Sequence, residues 1–166
     1  MLQPVRRRTW APRGQTPIQR SWDRHDRLSV VAALSVSPVQ RRLGLFFQVY
    51  GQNIRSEQVV EVLRALHRQL RRKFLLVLDR FNVHRKAVRV LQTAHPGWFE
   101  PEWLPAYAPE LNPVEHIWNH SKYSDLANFI PDDIDDLCFH VKESLWHQQA
   151  DPGRLYSCFR YAQLAL

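Results

Sequence analysis

A chain of 166 residues with 45% apolar and 11% aromatic side chains fits one globular domain with a buried core and excludes a disordered protein. Its apolar runs are far too short to span a bilayer, and no apolar stretch follows the N-terminal charges as a signal peptide requires. Two cysteines without metal-type spacing suit a reducing cytosol. The net charge of +7 is unevenly divided: residues 1–90 hold 19 Lys and Arg against 5 Asp and Glu, and residues 91–166 hold 4 against 11. The basic part is mostly arginine, whose planar fork of donors matches phosphate. A nucleic-acid partner is expected, with a merely basic surface as the alternative.

Residues 1–27 mix proline, arginine and tryptophan without periodicity and read as a loop or arm. "LSVVAALSV" (28–36) and "LGLFFQVY" (43–50) read as strands of an antiparallel hairpin joined by "SPVQRR". "SEQVVEVLRALHRQLRR" places Val59, Val60, Leu63, Leu66 and Leu70 at helical spacing, with Ser56 as the expected cap. "FLLVLD" then reads as a central strand buried on both faces, ending at Asp79. A helix over 85–93 with Val88 and Leu91 inward follows, and then an edge strand in "WFEPEWL", where proline excludes a central position. The proline-rich "LPAYAPELNP" leads into a helix over 113–127, and two more helices, 132–148 and 152–164, close the chain. Strand, strand, helix, strand is α/β order, and no repeat or linker divides it.

Two carboxylates stand out. Asp79 ends a strand at the edge where open α/β sheets place ligands, or else it caps the turn that follows. Glu115 is the third residue of a helix capped by Asn112, the position of a capping-box glutamate. As a pair, the two would repel unless a cation lay between them. Hard oxygen donors in a basic protein point to Mg2+ or Mn2+ and to two-metal phosphodiester chemistry. His116 and His120, four apart on the same helix, have metal-ligand spacing but no third partner at an informative distance, and read rather as solvated helix residues. Arg80, Arg85 and Lys86 flank Asp79 where a phosphate backbone would approach. Lys122 shares a helix face with Glu115 and Asn119 and is read as a further phosphate contact. Cys138, Ile117 and Trp118 read as core.

"LVLDRFNVHRKAVRVL" and "LPAYAPELNPVEHIWNHSK", with "RRRTWAPRGQTP" upstream, resemble the catalytic core of mariner-like DDE transposases of bacterial insertion sequences, above all the insertion sequence 630 family. The resemblance implies a ribonuclease-H-like core: a mixed sheet flanked by helices, with further helices at the C-terminus. It makes Asp79 the second catalytic acid and Glu115 the third, and matches His84 to a histidine that follows the second acid. Arg6, Arg7, Arg8 and Arg13 fall in the arginine-rich stretch and, with Arg80, His84, Arg85, Lys86 and Lys122, form the expected DNA-contacting set. The first acid of that family lies on a strand just before the arginine-rich stretch, where this sequence has none. Asp23 and Asp26 come too late, so the first-acid strand and the N-terminal helix-turn-helix region are expected to be missing.

The resulting expectation is a single catalytic domain over 1–166, cytoplasmic and not membrane-bound, with DNA ends and target DNA as partners, in a homo-oligomer. It would cleave phosphodiesters and transfer strands with a Mg2+ or Mn2+ two-metal site. The alternatives are a truncated DNA-binding or dimerising relic without activity, and another ribonuclease-H-like nuclease.

Overall fold

In the computed structural model, which describes residues 5, 7–8, 10–15, 27–39 and 41–164, the hairpin forms as its sequence predicts. β1 (Ser29–Val36) pairs antiparallel with β2 (Leu43–Tyr50), Ser29 opposite Tyr50 and Val36 opposite Leu43. Its turn is closed by Ser37 N–H donating to the Arg42 carbonyl and Arg41 N–H to the Ser37 carbonyl, both at 2.9 Å.

α1 (Ser56–Leu70) begins one residue earlier than a Ser56 cap allows. Arg55 is the capping position, and its N–H is taken by Gln58 Oε1 at 2.9 Å, leaving Ser56 buried as the first helical residue. Val59, Leu63 and Leu66 are buried as the spacing predicts, together with Val62. β3 (Phe74–Leu78) pairs in parallel with β4 (Phe99–Trp103), and α2 (Asn82–Ala94) makes the crossover between them. Pro101 lies opposite Leu76 on β4, which has no second strand partner among the described residues, so its missing N–H costs no bond there.

β3 corrects one expectation. Phe74, Leu76 and Leu78 pack inward, but Leu75 and Val77 are 61% and 51% exposed. The continuous apolar run marks a strand buried on one face only, because α1 and α2 cover a single side of the β3–β4 pair. Parallel and antiparallel pairing both occur, as expected, in two separate two-stranded sheets among the described residues.

Two clusters hold these elements. One joins Leu28 and Leu45 of the hairpin region to Ile117, Leu126, Leu137, Val141, Leu145 and Leu155 of the C-terminal helices. The other joins α1, α2, β3 and β4 through Val59, Leu63, Leu66, Ala87, Val88, Leu91 and Phe99, and also touches Ala33 and Phe46 of the hairpin. Full burial of each such leucine or valine contributes about 1.5–3 kcal/mol before entropy is counted.

The helix expected over 113–127 is shorter. α3 (Pro113–His120) gives way to a widened π turn, Ser121–Asp125, closed by Leu126 N–H donating to the Ser121 carbonyl at 2.9 Å. A buried polar chain accounts for this. Ser144 Oγ donates to Asp125 Oδ2 at 2.7 Å and lies 2.8 Å from Ser121 Oγ, which accepts from Gln148 Nε2 at 2.9 Å. Ser144 and Gln148 belong to α4 (Ile134–Ala150), which is capped by Asp133; α5 (Pro152–Tyr161) is capped by Asp151. No helix among the described residues is long and apolar enough to cross a membrane.

Candidate active site

Asp79 follows β3 directly and turns the chain into α2. Its Oδ1 accepts from the Phe81 N–H at 3.0 Å, so the turn-capping role is real. The same oxygen lies 2.6 Å from His84 Nδ1, in the first turn of α2. That geometry places a proton on His84 Nδ1. The hydrogen bond from His84, helped by the Phe81 N–H and the imidazole's charge when protonated, holds the Asp79 carboxyl below its ordinary range against the opposing effect of burial. Asp79 is therefore kept ionised and its Oδ1 fixed, while Oδ2 has no hydrogen bond among the described residues.

Glu115 occupies the first turn of α3, where a negative charge suits the helix dipole. The capping box does not form. Asn112 caps the helix by accepting from the Val114 N–H at 3.2 Å, but its own N–H donates to the Pro109 carbonyl at 3.0 Å. The backbone donor that a capping glutamate would take is already used, and the Glu115 carboxylate has no side-chain partner among the described residues.

The loop between β4 and α3 is fastened beside Asp79 at its start. Leu104 N–H donates to the Leu78 carbonyl at 2.9 Å, and Arg80 Nε donates to the Leu104 carbonyl at 3.2 Å. The residues on either side of Asp79 thus hold the start of the loop whose far end is the Glu115 helix.

The expected DNA-contacting residues divide. Arg8, Arg13 and Arg85 are exposed, as is Arg80 apart from its Nε bond, and Lys86 lies 3.7 Å from Glu57. Arg7 donates through its guanidinium to the Tyr123 carbonyl and through its N–H to Asn128 Oδ1, at 2.5 and 2.7 Å. With the Val5 carbonyl accepting from the Asn128 N–H at 3.0 Å, these bonds fasten the arm to the π turn and the loop after it. Lys122 sits within the π turn, so the α-helical spacing that aligns it with Glu115 and Asn119 is not kept past His120. Arg6, Asp23 and Asp26 lie outside the described residues.

His116 and His120 are only partly exposed, and each packs against neighbours where free solvated residues were expected. His116 packs on Tyr161 with Nε2 buried and unpaired, and His120 Nε2 lies 3.0 Å from Asp125 Oδ1 and against Arg154. No group of three His, Cys, Asp or Glu that could hold a metal occurs among the described residues. The Ser121–Ser144–Gln148 chain and the Arg7 clamp escaped the sequence reading. Two polar residues four apart on the inward face of α4, Ser144 and Gln148, were the signal for the first.

Asp79 thus ends a strand with His84 five residues on, and Glu115 opens a helix after a proline-rich loop. The sequence profile of the DDE superfamily endonucleases matches residues 1–138. The chain belongs to the DDE superfamily endonucleases. No curated protein sequence matches this DDE superfamily chain. Among solved structures it is similar to a chain of "Crystal structure of the Mos1 Strand Transfer Complex", with a TM-score of 0.55 and 18% identity over 98% of its own length. At that identity the likeness carries the fold, and it bears out the ribonuclease-H-like α/β architecture. The DDE superfamily chain spans 51% of the Mos1 chain it matches.

Both acids fit a divalent cation as donors. Asp79 is ionised with one oxygen oriented and the other free, and Glu115 is half-buried without a competing partner. Oxygen donors of this kind suit Mg2+ or Mn2+, which commonly take one or two protein carboxylates and complete their shell with water or phosphate.

Proposed function

We propose that this chain is the catalytic domain of a mariner-like transposase: a metal-dependent endonuclease that cleaves DNA at the ends of a mobile element and joins those ends to target DNA. The observation that supports it most is the state of the two acids. Asp79 is held ionised at a strand end, and Glu115 is left free of its cap in a domain of the DDE superfamily. Asp79 and Glu115 would hold the divalent metal, which when bound supplies Lewis-acid stabilisation of the phosphoryl oxygens and an activated water nucleophile.

The chain's own residues do the rest. His84 donates to Asp79 and fixes the carboxylate, as partners of metal ligands commonly do. Arg85 and the remaining donors of Arg80 lie beside Asp79 on exposed positions, where phosphates can replace water. Arg8 and Arg13, exposed on the arm, would bind further phosphates, as would Arg6, Arg7, Lys86 and Lys122. Transposon ends and target DNA are the substrates, and a homo-oligomer of this domain is the working assembly.

Supercoiled plasmid and oligonucleotides carrying candidate terminal repeats test this in Mg2+ and in Mn2+. The expected result is nicking that requires metal and is abolished by Asp79→Ala and by Glu115→Ala, while both variants still bind DNA. DNA binding without cleavage by the unaltered protein would leave the domain a binding module. Cleavage that survives one of these substitutions would remove that acid from the site.

A further inference from the structure

The loop between β4 and α3 carries one residue whose side chain nothing among the described residues engages. Tyr107 has φ +58, in the left-handed region that bulky side chains rarely enter, and its side chain is fully exposed. Its ring makes no hydrogen bond or ring contact among the described residues. Single exposed apolar residues are ordinary. An exposed aromatic in a strained backbone is not, because strain persists only where the surroundings impose it, and such positions gather at functional sites.

The surroundings here do impose it. Leu104 is held by Leu78 and Arg80 at one end of the loop, and Pro109–Leu111 forms a 3-10 turn leading to the Asn112 cap at the other. Pro105 and Pro109 fix φ on both sides of Tyr107. A rigid loop, fastened at one end to the residues flanking Asp79 and leading at the other into the helix that carries Glu115, thus presents a bare aromatic face to solvent. No Lys or Arg occurs between Arg89 and Lys122, so the loop itself offers no cation to hold a phosphate beside Tyr107. A flat π surface beside a phosphodiester-cleaving site suits the other part of a nucleotide, its base.

We propose that Tyr107 is a base-stacking residue: its ring takes up an unpaired nucleobase next to the phosphodiester that the Asp79–Glu115 site cleaves. The proposal rests on the endonuclease reading above and adds to it how the strand end is held open. Stacking is indifferent to sequence, because every base has a π face, so Tyr107 selects unpaired over paired DNA and not one base over another.

The test uses 2-aminopurine fluorescence and binding titration, without divalent metal, on a duplex with an unpaired extension and on the same duplex fully paired. The unaltered protein is expected to bind the extended duplex more tightly and quench the unpaired 2-aminopurine. Tyr107→Phe and Tyr107→Trp should retain both effects. Tyr107→Asn, which tolerates the left-handed backbone, should lose about 5-fold or more in affinity for the extended duplex only. Its salt dependence should be unchanged and its Tm no lower than that of the unaltered protein. Equal binding of the two duplexes by the unaltered protein, or an Asn variant that binds the extended duplex as well as the unaltered protein does, overturns the proposal alone. So does a variant that weakens both duplexes equally with a fallen Tm. Failure of the unaltered protein to bind either duplex overturns the nucleic-acid reading and the stacking proposal with it.

Discussion

Ile117, on the helix that carries Glu115, is completely buried, whereas Leu75 and Val77, on the strand that ends at Asp79, are 61% and 51% exposed. The two acids thus stand on differently built supports. Glu115 projects from a helix set into the hairpin and the C-terminal helices, with a polar chain fixing the turn after it. Asp79 stands at the end of a strand backed on one side only, and its carboxylate is fixed locally, by His84 and the Phe81 N–H. Packing positions one acid; hydrogen bonds position the other.

The largest effect should come from the packed side. Ile117→Ala leaves a cavity in a fully buried site and is expected to lower unfolding stability by about 2–5 kcal/mol. Leu75→Thr and Val77→Thr, on the exposed face, should stay within about 0.5 kcal/mol of the unaltered protein. Urea titrations of the three variants would break the comparison if the strand variants cost as much as the helix variant.

Next in size is the polar chain beneath the π turn. Ser144→Ala removes the donor to the exposed Asp125 and a partner of Ser121, which is itself fully buried. A buried group left unsatisfied costs about 1–3 kcal/mol. Arg7→Ala, at the exposed clamp on Tyr123 and Asn128, should cost less, about 0.5–1.5 kcal/mol. Equal losses from the two would mean that the arm and the core hold the turn alike.

A smaller and pH-dependent effect should appear at Asp79. Its folded pKa lies below the ordinary value of about 3.9, so it contributes stability that is fully present above that value. That contribution is lost as pH falls through the lower, folded pKa. Asp79→Asn should remove this part of the acid limb, and His84→Ala should let the Asp79 pKa rise toward the ordinary range. Carboxyl NMR titration of Asp79 reads the second effect directly; an unchanged pKa in His84→Ala would remove the histidine as its cause.

Much of this was legible in the sequence. The hairpin, the two amphipathic helices and the proline-marked edge strand follow from local periodicity and turn chemistry, and they form where expected. "FLLVLD" misled because a continuous apolar run records hydrophobicity without saying how many faces are covered, and coverage depends on elements far along the chain. The helix after Pro113 misled for the opposite reason. Nothing local ends it at His120; the π turn is set by Ser144 and Gln148, more than 20 residues away. Asp79 and Glu115 were legible as candidates from their positions and from the family motif. That the Asn112 N–H is taken by Pro109, leaving Glu115 without its capping partner, needed three-dimensional geometry.

The central claim is that acids on these two supports serve one metal site, and Mn2+ binding followed by EPR tests it without requiring cleavage. Titrations of the unaltered protein, Asp79→Ala, Glu115→Ala and the double variant form a cycle. Even outer partners of metal ligands are commonly worth about 10–100-fold in affinity, so each single loss should weaken Mn2+ binding at least tenfold. The double loss should add far less than the sum of the two, as it must when both side chains hold the same cluster. Strictly additive effects, or a Glu115→Ala variant that binds Mn2+ as well as the unaltered protein, would contradict the account.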